Sequence, residues 1–200
     1  MGNLGSSRYS DPVLEHEHIA ELIALEAELC KRSLYDYLLA MWPVIEPSTP
    51  FIDGFHIGAM AEHQQAVFDG QIKKLIINVC PRSGKSICTS IALPTWGWTR
   101  NPATRFLFSS YSSDLSLEFA TTARRVIEST WYQTRWDIQL SGDQNNKAFY
   151  ANTASGYRIS TSVGGSATGK GGDLLVVDDP HNLKTINSDI VRTEDVRWFF

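Results

Sequence analysis

The segment from residue 75 to residue 86 reads LIINVCPRSGKS, and it decides the fold that we expect. Leu75–Val79 is a short apolar run between Gly70 and Pro81, which is the pattern of a buried strand. A loop of Pro, Ser and Gly follows, and a helix is predicted from about Lys85 to near Pro94. A strand that passes through such a loop into a helix is typical of α/β proteins.

The alternation of strands and helices continues along the chain. Buried-strand patterns predict further strands at 105–109 and 174–177, and strand-like stretches lie near 148–151 and 157–163. One helix is predicted over about 57–68, and another begins at a cap formed by Ser112 or Ser113. The apolar face of that second helix contains Leu115, Phe119, Ala123, Val126 and Ile127. The predicted fold class is therefore α/β, with a mostly parallel sheet flanked by helices.

The first 50 residues differ from the rest. Residues 1–12 are polar and rich in Gly and Ser, which predicts a loose arm. Apolar residues recur at helical spacing from Val13 to Met41, and three prolines then end the pattern, at positions 43, 47 and 50. We therefore divide the chain into an N-terminal arm and helical segment, 1–50, and an α/β domain, 51–200.

Composition excludes several classes of protein. The 200 residues are 42% hydrophobic and 20% charged, which is ordinary for a globular domain. No apolar run reaches the roughly 18 residues of a membrane span, so no membrane partner is expected. The net charge of −4 excludes a strongly basic protein that coats nucleic acid. Cys30, Cys80 and Cys88 form no CxxC pair, which predicts free thiols in a reducing cytoplasm.

Residues 79–86 match a phosphate-binding loop, GxxxxGK followed by Ser or Thr, except that Val79 replaces the first glycine. Gly84 would let the backbone approach phosphate, and Lys85 would place positive charge on the β- and γ-phosphates. The predicted nucleotide-binding residues of the loop are Pro81, Arg82, Ser83, Gly84, Lys85 and Ser86. The alternatives are an ordinary strand-to-helix turn and, for Arg82, an exposed loop charge.

A second motif, LLVVDD at 174–179, is an apolar strand that ends in two acids. Asp178 and the Ser86 hydroxyl would hold Mg²⁺, and Asp179 would orient and deprotonate the attacking water. Many strands end in Asp turns, so the motif is weak alone. Together with the loop it predicts binding and hydrolysis of ATP or GTP, with Asp179, Lys85 and Arg82 as catalytic residues.

From about residue 41 the chain resembles the ATPase part of the large terminase subunit of tailed bacteriophages. The segments that carry the resemblance are WPVIEP (42–47), FH (55–56), NVCPRSGKS (78–86), FSSYS (108–112), STWY (129–132), TSVGG (161–165) and VDDPH (177–181). The resemblance implies an ASCE-type P-loop NTPase fold. The loop and the carboxylate pair would be its Walker A and Walker B motifs, with an extra strand between the two Walker strands.

The resemblance also implies partners and a location. ATP hydrolysis with Mg²⁺ would drive double-stranded DNA into a procapsid in the host bacterial cytoplasm. The implied protein partners are the portal protein, the procapsid, a small terminase subunit and further copies of this chain in a ring, usually a pentamer.

Further site residues are also implied. Gln64 or Gln65, with Phe55 or His56, would contact the base, or the two glutamines are surface residues. Lys170 would be a sensor acting across a subunit boundary. Arg124 and Arg125 would be an arginine finger, DNA contacts or a solvated helix face.

Some activities are not expected. The chain stops about 20 residues after Asp179. In terminases a coupling strand and a nuclease domain follow this point, so the resemblance implies an incomplete ATPase domain, and no nuclease activity is expected from this chain. The acids of the first helix are expected to be solvated rather than catalytic: Glu15, Glu17, Glu21, Glu26 and Glu28. The histidines lack metal-ligand spacing, so no zinc is expected. Two alternative functions stay open: an ATP-binding fragment without turnover, and a P-loop DNA translocase or helicase outside packaging.

Overall fold

The computed structural model describes residues 12–142, 146–162, 171–180, 188–190, 193 and 197. Its helices are α1 (Pro12–Arg32), α2 (Leu34–Ile45), α3 (Phe55–Phe68), α4 (Leu93–Arg100), α5 (Ser113–Glu128) and α6 (Thr130–Trp136). A π-helical turn, Ile87–Ala92, leads directly into α4. The strands are β1 (Arg105–Ser110), β2 (Phe149–Ala151), β3 (Tyr157–Ser162) and β4 (Leu174–Asp178).

The four strands form one mostly parallel sheet in the order β2-β3-β1-β4. β1 lies between β3 and β4 and runs parallel to both, whereas β2 pairs antiparallel with β3. Ser110 at the end of β1 is in register with Ser162 and Asp178. The α/β class and the four strands predicted after residue 100 are therefore confirmed, and the parallel strands end at one edge of the sheet.

The strand predicted at Leu75–Val79 is wrong, because this segment belongs to no strand of the sheet. Its side chains alternate in exposure: Ile77 and Val79 pack partly against the core, and Ile76 is 84% exposed. The segment thus has the side-chain pattern of a strand without the backbone pairing. Sheet hydrogen bonds require a neighbouring strand, and a groove lies between this segment and the edge of β4.

The helical segments differ from the sequence patterns in three respects. The helical pattern over 13–41 is divided between two helices, because the Ser33 side chain accepts a hydrogen bond from Asp36 N and caps α2. α2 contains Pro43 and continues to Ile45. The helix predicted to stop near Pro94 instead continues to Arg100, with Pro94 in the first turn of α4.

Buried aromatic residues form the core, and the polar tips of several of them are hydrogen-bonded. Trp96 Nε1 donates to Cys30 O at 2.9 Å, and Tyr132 Oη donates to Thr95 O at 2.8 Å. Trp98 is also buried, and its Nε1 donates to Thr104 O at 2.9 Å. These bonds connect α1, α4 and α6, so the N-terminal helices share one core with the sheet domain.

The thiol predictions agree with the structure. Cys30, Cys80 and Cys88 are free, and Cys30 and Cys88 are buried. No helix within the described ranges has the length and apolar character needed to cross a membrane.

The expectation that all the acids of the first helix are solvated is wrong for Glu26. Its carboxylate accepts hydrogen bonds from Trp131 Nε1 at 3.2 Å and from Arg135 Nη2 at 2.9 Å, and so links α1 to α6. Partial burial opposes ionisation, but the hydrogen bonds from Arg135 and Trp131 outweigh it and lower the pKa of Glu26.

We predict that Glu26→Gln destabilises the fold by about 0.5–1 kcal/mol at pH 7, since the pair is partly exposed and screened. A depressed carboxyl pKa contributes stability above the unfolded pKa, and this contribution is lost as the pH falls through the folded pKa. The difference in the free energy of unfolding between Glu26→Gln and wild type should therefore shrink below about pH 4.3. Urea unfolding at several pH values measures it.

The control is Glu28→Gln, which removes an exposed pair with Arg32 on the same helix. This variant should change stability less at pH 7. An effect of Glu26→Gln that is the same at pH 3 and pH 7 would contradict the role of the ionised carboxylate.

Candidate functional site

The loop before the π-helical turn meets the end of β4. Lys85 Nζ lies 3.1 Å from Asp178 Oδ1 and also forms an ion pair with Asp179 Oδ1. Lys85 and Asp179 are 94 residues apart in the chain. The fold thus brings the predicted loop lysine and both predicted acids into one cluster, which we call the lysine–aspartate cluster.

The loop backbone takes its shape from two left-handed residues. Arg82 has φ 63° and Gly84 has φ 77°. A Cβ on Gly84 would lie 3.2 Å from Ile57 Cδ1 of α3, so both the backbone conformation and the packing favour glycine here. The loop then enters the helical segment at Lys85, where backbone N–H groups are available to an anion.

Asp178 is held on both carboxylate oxygens. Its side chain is only 8% exposed. Ser90 Oγ, in the π-helical turn, donates to Oδ2 at 3.2 Å, while Lys85 lies at Oδ1. A buried carboxylate needs such partners, because loss of hydration is costly without them.

Asp179 differs from its neighbour in exposure. Its side chain is 62% exposed, and its φ is 47°, in the left-handed region. Its carbonyl accepts from Tyr111 N at 3.1 Å, which ties the end of β4 to the end of β1. Asp178 is therefore an anchored acid and Asp179 an accessible one.

The lysine–aspartate cluster keeps Lys85 charged. Partial burial opposes the charge, but hydrogen bonds to Asp179 and Asp178 outweigh the desolvation and raise the pKa of Lys85. With both carboxylates beside it, the ammonium group is paired with two anions.

The other predicted loop residues do not join this cluster. Pro81 and Arg82 are exposed, and no ion pair joins Arg82 to the described residues. The Ser83 hydroxyl is buried, with no hydrogen-bond partner in the structure. Ser86 is half-buried at the start of the helical segment, one residue after Lys85.

A groove of about 1370 Å³ opens beside the cluster. The segment 72–79 forms one wall and the residues of β4 form the other, with Gln64, Lys85 and Asp179 also on its surface. Gln64 is 3% exposed, its Nε2 donates to Cys88 Sγ at 3.4 Å, and its Oε1 has no hydrogen-bond partner among the described residues.

The two candidate glutamines therefore have different environments, and neither is a fully exposed surface residue. Gln65 Oε1 accepts from Leu34 N, and its Nε2 donates to Arg32 O, so Gln65 connects α3 to the junction of α1 and α2. Of the aromatic candidates, Phe55 is 92% exposed and packs edge-on against the His56 ring.

The basic candidates lie elsewhere or outside the described residues. Arg124 pairs with Glu128 one helical turn on, at 2.8 Å, and Arg125 is exposed. Both line a separate cavity of about 260 Å³ over α5. Lys170 and His181 lie outside the described residues.

The site has oxygen ligands of the type that Mg²⁺ prefers. Asp178, Asp179 and the Ser86 hydroxyl are hard donors, and Mg²⁺ at phosphate sites uses one or two carboxylates with waters and substrate phosphates. Within the described ranges, no three His, Cys, Asp or Glu side chains form a group able to hold a metal by themselves. The donor set thus fits Mg²⁺ that arrives with a phosphate ligand.

Sequence reasoning missed two residues behind the cluster, Ser90 and Arg158. Ser90 is four residues after Ser86, which places it on the same helix face. Arg158 interrupts a run with the pattern of a buried strand, and a charged residue at such a position is an unusual signal.

Comparisons of the chain with protein-family models, with curated proteins and with solved structures found no match. The chemistry of the loop and the carboxylates is therefore the basis on which a function can be assigned.

We predict that Asp178→Asn lowers the free energy of unfolding by about 1–3 kcal/mol, because Ser90 and Lys85 lose a buried charged acceptor. Asp179→Asn should cost less than about 1 kcal/mol, because its pair is exposed and screened. Asparagine tolerates the left-handed backbone at position 179. Urea unfolding at pH 7 without nucleotide compares the two, and a larger loss in Asp179→Asn would contradict the assignment of the anchored acid.

Proposed function

We propose that this chain is a P-loop ATPase and the engine of a viral DNA-packaging terminase. The observation that carries the proposal is the lysine–aspartate cluster, which joins a GKS loop to two acids at the end of a parallel strand. Ligands of open α/β sheets bind at this edge, beyond the carboxyl ends of the strands. The proposed fold is accordingly of the ASCE P-loop type.

Each residue has a proposed role in phosphoryl transfer. Lys85 turns from the carboxylates to the β- and γ-phosphates when nucleotide binds, because both are anionic partners at the same place. The loop backbone around Gly84 approaches the phosphates, and Arg82 adds positive charge from the exposed side of the loop. Asp178 and Ser86 hold Mg²⁺, which when bound supplies positive charge against the phosphate oxygens.

Asp179 is the proposed base. Its exposed carboxylate orients a water molecule toward the γ-phosphorus and accepts its proton. The new bond forms between the water oxygen and phosphorus, and the bond from phosphorus to the β–γ bridging oxygen breaks. The products are ADP and inorganic phosphate. The Asp178 carboxylate is buried and accepts a hydrogen bond from Ser90, so it is the less suitable base.

The packaging role rests on the motifs that resemble those of large terminase subunits. Double-stranded DNA is the proposed substrate for translocation, and the portal protein, the procapsid and a small terminase subunit are proposed partners. Several copies of the chain would form a ring, usually of five, in the bacterial cytoplasm. The net charge of −4 favours local DNA contacts over a broad basic surface.

A second candidate is an ATP-binding module without turnover. Two observations favour it: Lys85 is paired with both acids, and Leu75–Val79 pairs with none of the described strands that could brace the loop. Precise positioning contributes most of the rate in phosphoryl transfer, so a loosely held loop would bind nucleotide yet hydrolyse it slowly.

We predict Mg²⁺-dependent release of phosphate from ATP that falls by roughly 10²-fold or more in Lys85→Ala and in Asp179→Asn, because each removes a group that acts on the transition state. The control is Lys31→Ala on the exposed face of α1, which should leave the rate unchanged.

Unchanged turnover in Lys85→Ala would overturn the ATPase assignment. Nucleotide binding without phosphate release by the folded wild-type protein would favour the second candidate.

A further inference from the structure

Arg158 is the most unusual buried side chain behind the site. It lies in β3 and is 1% exposed, and no acidic side chain pairs with it in the described part of the chain. Its guanidinium carbon is 4.1 Å from the centroid of the Phe108 ring. Burial lowers the pKa of this arginine, but a guanidinium remains charged in proteins. A buried charge without a counter-ion is costly, so its partners need explanation.

Two of these partners are neutral oxygens. Arg158 Nη1 donates to Ser160 Oγ at 2.8 Å, and Nη2 donates to the carbonyl oxygen of Ser90 at 3.2 Å. The second bond joins β3 to the π-helical turn that follows the phosphate-loop motif.

The Ser90 carbonyl lies where the helical register changes. The backbone N–H of Leu93 donates to Cys88 O, five residues back, so the turn 87–92 is π-helical, and α4 begins at Leu93. Pro94 has no N–H, so it cannot donate to Ser90 from four residues further on. The guanidinium of Arg158 supplies this carbonyl with a side-chain donor.

The other polar end of Ser90 holds the anchored acid. Ser90 Oγ donates to Asp178 Oδ2 at 3.2 Å, and Ser90 is itself 2% exposed. One serine is thus fixed at its carbonyl by Arg158 and positions Asp178 with its hydroxyl. The path Arg158–Ser90–Asp178 connects the middle of the sheet to the proposed Mg²⁺ ligand.

A contribution to stability does not by itself explain why an arginine is buried at position 158. Well-packed apolar side chains in place of buried ionic groups are often neutral or stabilising. A directional donor at the Ser90 carbonyl supplies orientation, which apolar packing does not.

We propose that Arg158 is a positioning residue that acts through Ser90 to set the orientation of Asp178 toward Mg²⁺. This rests on the proposed function, since it assigns Arg158 to the metal side of the ATP site and not to nucleotide affinity in general. Partners that orient a metal ligand typically change metal affinity or activity by about 10- to 100-fold when mutated.

The test measures affinity for a fluorescent ATP analogue with Mg²⁺ and with a chelator instead. In Arg158→Met and in Ser90→Ala, the affinity gained from Mg²⁺ should fall about tenfold or more, and metal-free affinity should stay within about twofold of wild type. The double variant should be no worse than the more affected single one, because both act on one path. Arg158→Lys keeps a charged donor and should recover part of the loss.

The matched control is Arg105→Met, which removes an exposed arginine of β1 paired with Asp173. This variant should leave the affinity gained from Mg²⁺ unchanged. Affinity for the ATP analogue that falls equally with Mg²⁺ and with the chelator would overturn the proposal in favour of a purely structural role. Losses of affinity that add in the double variant would overturn it as well. If Arg158→Met does not fold, Arg158→Lys tests the role of Arg158: a wild-type gain in affinity from Mg²⁺ in that variant would overturn the proposal. Ser90→Ala, which removes only a hydroxyl, tests the contact with Asp178.

A readout without nucleotide separates this proposal from the ATPase assignment. If wild-type protein binds no ATP, the proposed function fails. Amide hydrogen exchange over residues 86–93 then decides whether Arg158 holds the π-helical turn. Faster exchange by about tenfold in Arg158→Met, but not in Arg105→Met, supports the Arg158–Ser90 connection, and unchanged exchange overturns it.

Discussion

The contact of Lys85 with Asp178 and Asp179 is the interaction on which the rest of the site depends. Lys85 and Asp179 are 94 positions apart in the chain, and their contact places the loop that contains Lys85 beside the end of β4. The charges are unequal in environment, because Asp178 is buried and Asp179 is mostly exposed. Lys85 therefore contacts two acids with different properties: Asp178 is buried and held by hydrogen bonds, and Asp179 is accessible to solvent.

Behind this contact the structure is polar and tightly connected. Ser90 bonds Asp178 from the π-helical turn, and Arg158 bonds Ser90 from β3. The Phe108 ring lies beside the guanidinium, and the surrounding core is aromatic. Hydrogen bonds are strong and directional in such a low-dielectric setting, so small changes in these groups are transmitted to the acid that they hold.

In front of the contact the structure is open. The groove lies along β4, where Leu175 is 57% exposed, and along the segment that contains Ile76; among the described strands, none pairs with the outer edge of β4 or with this segment. Exposed apolar side chains and an unpaired strand edge are features that folded proteins usually cover. The sheet and the π-helical turn form one side of the site, and Ile77 and Val79 pack the segment before the loop partly against the core.

Local sequence patterns determined much of this protein. The strands after residue 100, a helix cap at Ser112 or Ser113, the free thiols and the residues of the lysine–aspartate cluster were predicted from short-range patterns and motif spacing, which depend on neighbours in the chain. Tertiary structure alone decided the rest. Leu75–Val79 has the pattern of a strand but pairs with none of the described strands, the Ser90 carbonyl accepts a hydrogen bond from Arg158 of β3, and Gln64 and Gln65 have different partners from different elements. Each of these outcomes depends on a hydrogen bond, made or missing, between residues far apart in sequence, which no local pattern encodes.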